Sequence, residues 1–336
     1  MSGGTGALIA VVAVALIFDV LNGFHDGCNA VSTVIYTKAL KPQVAIGLSA
    51  LFNFIGPLAI GVAVAERIGG IANHEIITTQ LMLAALLGAC VWEILTWIWA
   101  LPMSSSHTLI GGLLGALLVG VGPSGVVWGK LMWVLIALFA APILGIFTGL
   151  FFMRLSRLVF SRLKLDMARA DKFYKRMQIL SSCWVSFSHG SNDATKVMGI
   201  IAVFLAARAG TSIEDYGVPV WVIVSCAAAM AVGTYLSVAS FRLIRTLGEK
   251  ITKLHPINGF SAECGGAIVI TMASHFGLPV STTHVVTSAV TGTGLIGGLG
   301  AVSWKVFRAI MLTWVVTLPV CAGLAAAFYY LLGIWM

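Results

Sequence analysis

The chain has 336 residues, 59% of them apolar and 10% charged, with 37 glycines and 20 Lys+Arg against 12 Asp+Glu for a formal charge of +8; its mean hydropathy is +1.00. Soluble domains carry roughly 25% charged and about 45–50% apolar residues. A water-soluble core is therefore excluded, and so is disorder, which requires low hydrophobicity; the composition is that of an all-α polytopic membrane protein whose main partner is the lipid bilayer.

The positive excess does not read as a nucleic-acid surface. Eight of the 20 basic residues fall between Arg154 and Arg176, a cluster that fits the positive-inside rule. The six cysteines (Cys28, Cys90, Cys183, Cys226, Cys264, Cys321) lie in apolar stretches without CxxC or CxH spacing. That pattern argues against a zinc site or a disulfide framework, and no cofactor is expected. The apolar start, Ala7 to Val20, has no basic segment before it and reads as part of a span rather than a cleavable signal.

A membrane span needs about 20 apolar residues. Runs of that kind occur near 7–36, 43–65, 76–101, 104–121, 126–152, 178–207, 219–241, 258–277, 284–300 and 306–332. The first and sixth are too long for one straight crossing and are interrupted by polar residues. Broken helices or re-entrant hairpins are expected, which would raise a formal count from ten to about twelve. Alternation puts 16 basic residues on one side, those of 154–176 with Lys38, Lys41, Arg242, Arg245, Lys250, Lys253, Lys305 and Arg308. Only Arg67, Lys130 and Arg208 fall on the other. The loop 154–176 is thus expected in the cytoplasm and both termini outside.

The chain repeats itself. Leu101-Pro102-Met103-Ser104-Ser105-Ser106-His107 recurs as Leu278-Pro279-Val280-Ser281-Thr282-Thr283-His284, and Gly23-Phe24-His25-Asp26 recurs as Gly190-Ser191-Asn192-Asp193. The order is the same in both halves. Five spans per half is an odd number, so the second half enters the membrane upside down. The expected organisation is an inverted-topology repeat: 1–153, a basic cytoplasmic linker 154–177, and 178–336. Repeats of this type place a transport site near the bilayer midplane.

Within the spans lie Asp19, Asp26, Glu93, Asp193, Lys196 and Glu263. A charge at the centre of a membrane helix costs about 2.5–3.5 kcal/mol on insertion scales, so these groups must pair or line a wet path. Asp193 and Lys196, at i and i+3, fit an ion pair. The glycine-flanked segments 22–29 and 188–193 look like helix breaks, where freed carbonyls and Asp or Asn oxygens can coordinate a hard cation. Asp19 lies two helical turns before Asp26 on the same face. The segments Ser104–Ser106 and Ser281–Thr283 each follow a proline, as helix N-caps do, and a helix N-terminus ringed by hydroxyls is an anion cradle. With no arginine in any span, an anion there would be repelled by the carboxylates unless a cation came too, which couples the two ligands. His107 and His284 close the clusters in a packing or a titrating role.

Over nearly its whole length the chain resembles the inorganic phosphate transporters of the Pit family. The duplicated family motif GANDVAN is similar to Gly23-Phe24-His25-Asp26-Gly27-Cys28-Asn29 and to Gly190-Ser191-Asn192-Asp193-Ala194-Thr195-Lys196. Gly277 to His284 matches its second-half signature, Leu101 to His107 the partner of that signature, and Gly259-Phe260-Ser261-Ala262-Glu263 its Gly-Phe-x-x-Glu segment. The resemblance implies import of phosphate across the cytoplasmic (inner) membrane by symport with a cation, a proton or sodium. Ser104, Ser105, Ser106, Ser281, Thr282 and Thr283, with Asn29 and Asn192, are the expected phosphate ligands. Asp26, Asp193, Glu263, Glu93 and His25 are the expected cation residues, with sodium, if used, at Asp26 and Asp193. Three departures stand out: His25 replaces a usual Asn, Lys196 the closing Asn of the second motif, and Glu93 a usual Asn or Gln.

Competing readings are a sulfate or other oxyanion permease of the same fold, a passive anion channel, and an intramembrane hydrolase using Ser and His. Protonated phosphate can donate a hydrogen bond to an ionised Asp and sulfate cannot, which favours phosphate. Duplicate nucleophiles in opposite orientations disfavour the hydrolase. The oligomeric state, a homo-oligomer included, is left open.

Overall fold

Inside a bilayer the backbone must satisfy its own hydrogen bonds, so each apolar run folds as a helix. The computed structural model describes residues 4–163 and 166–335. In chain order the helices are α1 (Thr5–Tyr36), α2 (Pro42–Ile60), α3 (Ala63–Gly69), α4 (Thr79–Ile98), α5 (Ser105–Gly120), α6 (Trp128–Leu163), α7 (Met167–Ala209), α8 (Ile213–Tyr216), α9 (Val220–Leu236), α10 (Phe241–Glu249), α11 (Pro256–His275), α12 (Thr282–Gly294) and α13 (Trp304–Gly333). Each of the ten expected spans has its helix. Among the described residues six helical stretches are long and apolar enough to cross a membrane: those beginning at Thr5, Pro42, Thr79, Trp128, Val220 and Trp304. Their outer faces are apolar where nothing covers them, as at Phe139, Phe147 and Phe151 along α6, which is the surface lipid requires. The protein is a multi-pass membrane protein.

The helices α5 and α12 have 16 and 13 residues. At 1.5 Å per residue they reach only about 24 and about 20 Å, short of the roughly 30 Å hydrocarbon core. They therefore end inside the protein. Each forms a hairpin with the helix before it, α4–α5 and α11–α12. The open end of each hairpin is tied by a short backbone bridge, Ala72 with Val126 and Thr252 with Val302.

One expectation is corrected. The segments 22–29 and 188–193 are not helix breaks, since α1 and α7 run through them as continuous helices of 32 and 43 residues. Their glycines serve close helix crossing instead. A Cβ at Gly190 would lie 2.3 Å from the carbonyl oxygen of Asn53 on α2, and one at Gly23 would lie 2.4 Å from that of Met230 on α9. Small residues let membrane helices approach this closely. The basic linker 154–177 is largely helical where it is described. Its residues to Leu163 continue α6, and α7 starts at Met167 with Asp166 as its N-cap; Lys164 and Leu165 lie outside the described residues.

The close crossing gives a test. Gly190→Ala is expected to destabilise the protein by about 1–3 kcal/mol through overpacking against backbone that has no rotamer to yield. Thermal unfolding in detergent measures it.

Candidate functional site

The two short helices bring the duplicated hydroxyl segments together. Ser106 on α5 donates from Oγ to the carbonyl of Val280 just before α12, at 2.9 Å, and the rings of His107 and His284 lie 4.7 Å apart. Ser104 and Ser281 are N-caps: each hydroxyl accepts the N–H of the histidine three residues on, at 3.2 and 3.3 Å. The first backbone bonds along each helix start at Thr108 and Val285. The N–H groups of Ser105, Ser106, Thr282 and Thr283 precede them, in the turn that has no intrahelical acceptor. Two positive helix ends thus point into one buried centre. His284 stacks on Trp314 with ring centroids 3.6 Å apart, a packing role.

The four carboxylate-bearing residues expected at the site are not all held together. Asp193 and Asp26 belong to the centre. Asp193 is fully buried and its Oδ1 receives the Lys196 ammonium at 2.5 Å. Its Oδ2 accepts from Thr282 at 3.0 Å and Ser105 at 3.5 Å. Asp26 accepts from Thr283 at 3.1 Å and is 3.2 Å from His25 Nδ1, both through Oδ1; its Oδ2 has no partner among the described residues. Asn29 donates to the same Thr283 hydroxyl at 2.8 Å, which holds that hydroxyl aimed at Asp26. Hydroxyls from both clusters thus serve carboxylates from both long helices.

Glu263 lies apart from them. Its carboxylate accepts from Thr33 at 2.5 Å, from Gln178 at 3.0 Å and from Ser181. Thr33 stands two turns beyond Asp26 on α1, so Glu263 forms a second polar layer nearer the 154–177 end. Glu93 is buried with both oxygens unpartnered among the described residues. It sits within electrostatic reach of Asp26, Asp193 and Asp19. Asn192 spends its amide group on Ser274 at 2.9 Å and on the Leu278 carbonyl at 3.4 Å, and its buried Oδ1 has no partner among the described residues.

One residue of the centre escaped the sequence reading. His189 places Nε2 3.3 Å from Asp193 Oδ2, one helical turn before it, and its Nδ1 is 2.9 Å from Asn53 Oδ1. Asn53 spends its amide group on Thr234 at 3.0 Å, so its oxygen is the acceptor and His189 Nδ1 carries the proton. The ring's Nε2 faces Asp193. Ligand atoms of Asp26, His189 and Asp193 all lie within 4.8 Å of one another, all three buried. Only the i,i+4 spacing in Ser188-His189-Gly190-Ser191-Asn192-Asp193 could have signalled it.

Residues 22–325 match the phosphate transporter family. The chain is 43% identical over 324 residues to a "Probable low-affinity inorganic phosphate transporter" of Rhizobium meliloti (strain 1021), covering 96% of each chain. It is 39% identical over 328 residues to a Bacillus subtilis (strain 168) protein of the same name, covering 97% of each. Its fold is similar to a solved structure described as "The sodium-dependent phosphate transporter", with a TM-score of 0.86 and 26% identity across 98% of this chain and 100% of that one.

Proposed function

The chain belongs to the phosphate transporter family, whose members are transporters rather than enzymes, and from that premise we propose that it imports inorganic phosphate across the cytoplasmic membrane by symport with a proton. One observation carries the coupling: Ser105, Thr282 and Thr283, the hydroxyls best placed for an anion, donate to Asp193 and Asp26. Asp193 is already paired with the Lys196 ammonium, so it is chiefly Asp26 that, with no mobile cation beside it, competes with phosphate for these donors and repels it. A proton entering the centre offsets that charge. The hydroxyls then turn to phosphate beside the free N–H groups of the two helix ends. Each ligand lowers the cost of binding the other, which is reciprocal coupling.

The three-residue cluster favours a proton because it offers an imidazole nitrogen, whereas hard cations take oxygen ligands. The name of the solved relative supports a second reading, with sodium held at Asp26 and Asp193. For the motion, we read 1–153 and 178–336 as inverted repeats that exchange conformations about the fixed centre. The matched hairpins, bridges and glycine crossings support this reading. The basic bias supports cytoplasmic placement of 154–176 and termini outside.

The anion assignment is tested by phosphate affinity of the purified protein. Ser105→Ala and Thr282→Ala are each expected to weaken phosphate by about 0.5–3 kcal/mol, from the net worth of a neutral hydrogen bond up to that of one to a charged partner. Sulfate, with no proton to donate to a carboxylate, should bind more weakly than phosphate in the wild type. Unchanged phosphate affinity in both variants and in the pair would assign the hydroxyls to the carboxylates alone.

A further inference from the structure

The centre is asymmetric in charge. The ammonium of Lys196 is 2% exposed and sits among three oxygens: Asp193 Oδ1 at 2.5 Å, Ser106 Oγ at 2.6 Å and the carbonyl oxygen of Val280 at 2.8 Å. An ammonium has three N–H donors and all three are used, so none is left for a phosphate oxygen. Carboxylate, hydroxyl and main-chain carbonyl are also the oxygen types that a small hard cation takes as ligands. In the other half, Asn29 stands three residues after Asp26 as Lys196 stands three after Asp193. Asn29 carries no charge and reaches Asp26 only through the Thr283 hydroxyl. The Asp193 half of the centre therefore contains a lysine ammonium, where the Asp26 half has a neutral amide at the matching position and the His25 imidazole 3.2 Å from Asp26.

We propose that the Lys196 ammonium is a tethered cation, filling among Asp193, Ser106 and Val280 a position that a sodium ion would otherwise take, so that this chain needs one mobile cation fewer per phosphate. This inference rests on the phosphate symport reading above. Of the two central carboxylates, Asp193 is neutralised by a side chain that never leaves, and only Asp26 and the His189 face of Asp193 await a mobile ion. Removing the lysine while keeping its oxygen ligands should turn the position into a sodium site.

The experiment is inorganic phosphate binding to purified wild type, Lys196→Asn and Lys196→Arg across a sodium series at fixed pH. The wild type and Lys196→Arg, which keep a fixed charge, are expected to bind phosphate with no sodium dependence. Lys196→Asn is expected to bind weakly without sodium and to gain affinity about tenfold for each tenfold rise in sodium until saturation, as linkage to one ion requires. Sodium should also raise the thermal unfolding temperature of Lys196→Asn alone, a readout that survives even where phosphate binding is poor. Equal weakening of phosphate at every sodium concentration would make Lys196 a contact to the anion and overturn the proposal. A Lys196→Asn protein that neither binds phosphate nor is stabilised by sodium at any concentration overturns it too. If the wild type itself fails to bind phosphate, the symport reading falls; if it binds and Lys196→Asn gains no sodium response, the tethered-cation inference falls alone.

Discussion

Asp193→Asn is expected to destabilise the protein by about 3–5 kcal/mol, because it leaves the Lys196 ammonium buried without a counter-charge. Lys196 and Asp193 are 2% and 0% exposed in their side chains and 2.5 Å apart, so solvent screens neither. Thermal unfolding in detergent and the yield of folded protein read the effect, and phosphate uptake should vanish with it. Asp193→Asn combined with Lys196→Met removes both charges. Replacing a buried pair by uncharged groups is often neutral for stability, so the double variant should recover most of the unfolding temperature while uptake stays absent. Recovery of the fold without recovery of transport separates the structural role of the pair from the part Asp193 plays in binding the mobile ion. A double variant as unstable as the single one would show that Asp193 is held by more than its charge.

Asp26→Asn should behave in the opposite way. One of its carboxylate oxygens has no partner among the described residues, and no lysine depends on it. Neutralising it removes a charge at a depth where charge is costly and leaves no buried ammonium unpaired. Stability is expected to stay at or above that of the wild type, while uptake driven by a cation gradient is abolished. The Thr283 hydroxyl, freed from a carboxylate, remains available to phosphate, so binding should persist and lose its linkage to the coupling ion. Proteoliposome uptake and equilibrium phosphate binding, measured on the same preparation, test this directly. Near-normal gradient-driven uptake would reassign Asp26 to structure.

The contrast between these two aspartates shows what the sequence could carry. Their duplication, and that of the hydroxyl segments, pointed to one centre, and the i,i+3 spacing of Asp193 and Lys196 pointed to their pairing. The spans were legible because a helix in lipid must be apolar for about 20 residues. Whether Gly23 and Gly190 break a helix or let another pass was not legible. The residues they touch, Met230 and Asn53, are far away in sequence, and a missing Cβ serves either purpose. The same holds for Glu263. Its separation from Asp26 depends on Thr33, Gln178 and Ser181 meeting it from two other helices, a tertiary fact that no local pattern encodes. His189 belongs to the centre only because Asn53 fixes its ring from α2.

The most direct measurement is phosphate uptake into proteoliposomes of the wild-type protein, with proton and sodium gradients imposed separately. An inward proton gradient should drive phosphate above equilibrium, with protons entering alongside it, and a sodium gradient at equal pH should drive none. Accumulation driven by sodium alone, or phosphate that only equilibrates whatever gradient is applied, would contradict proton-coupled symport.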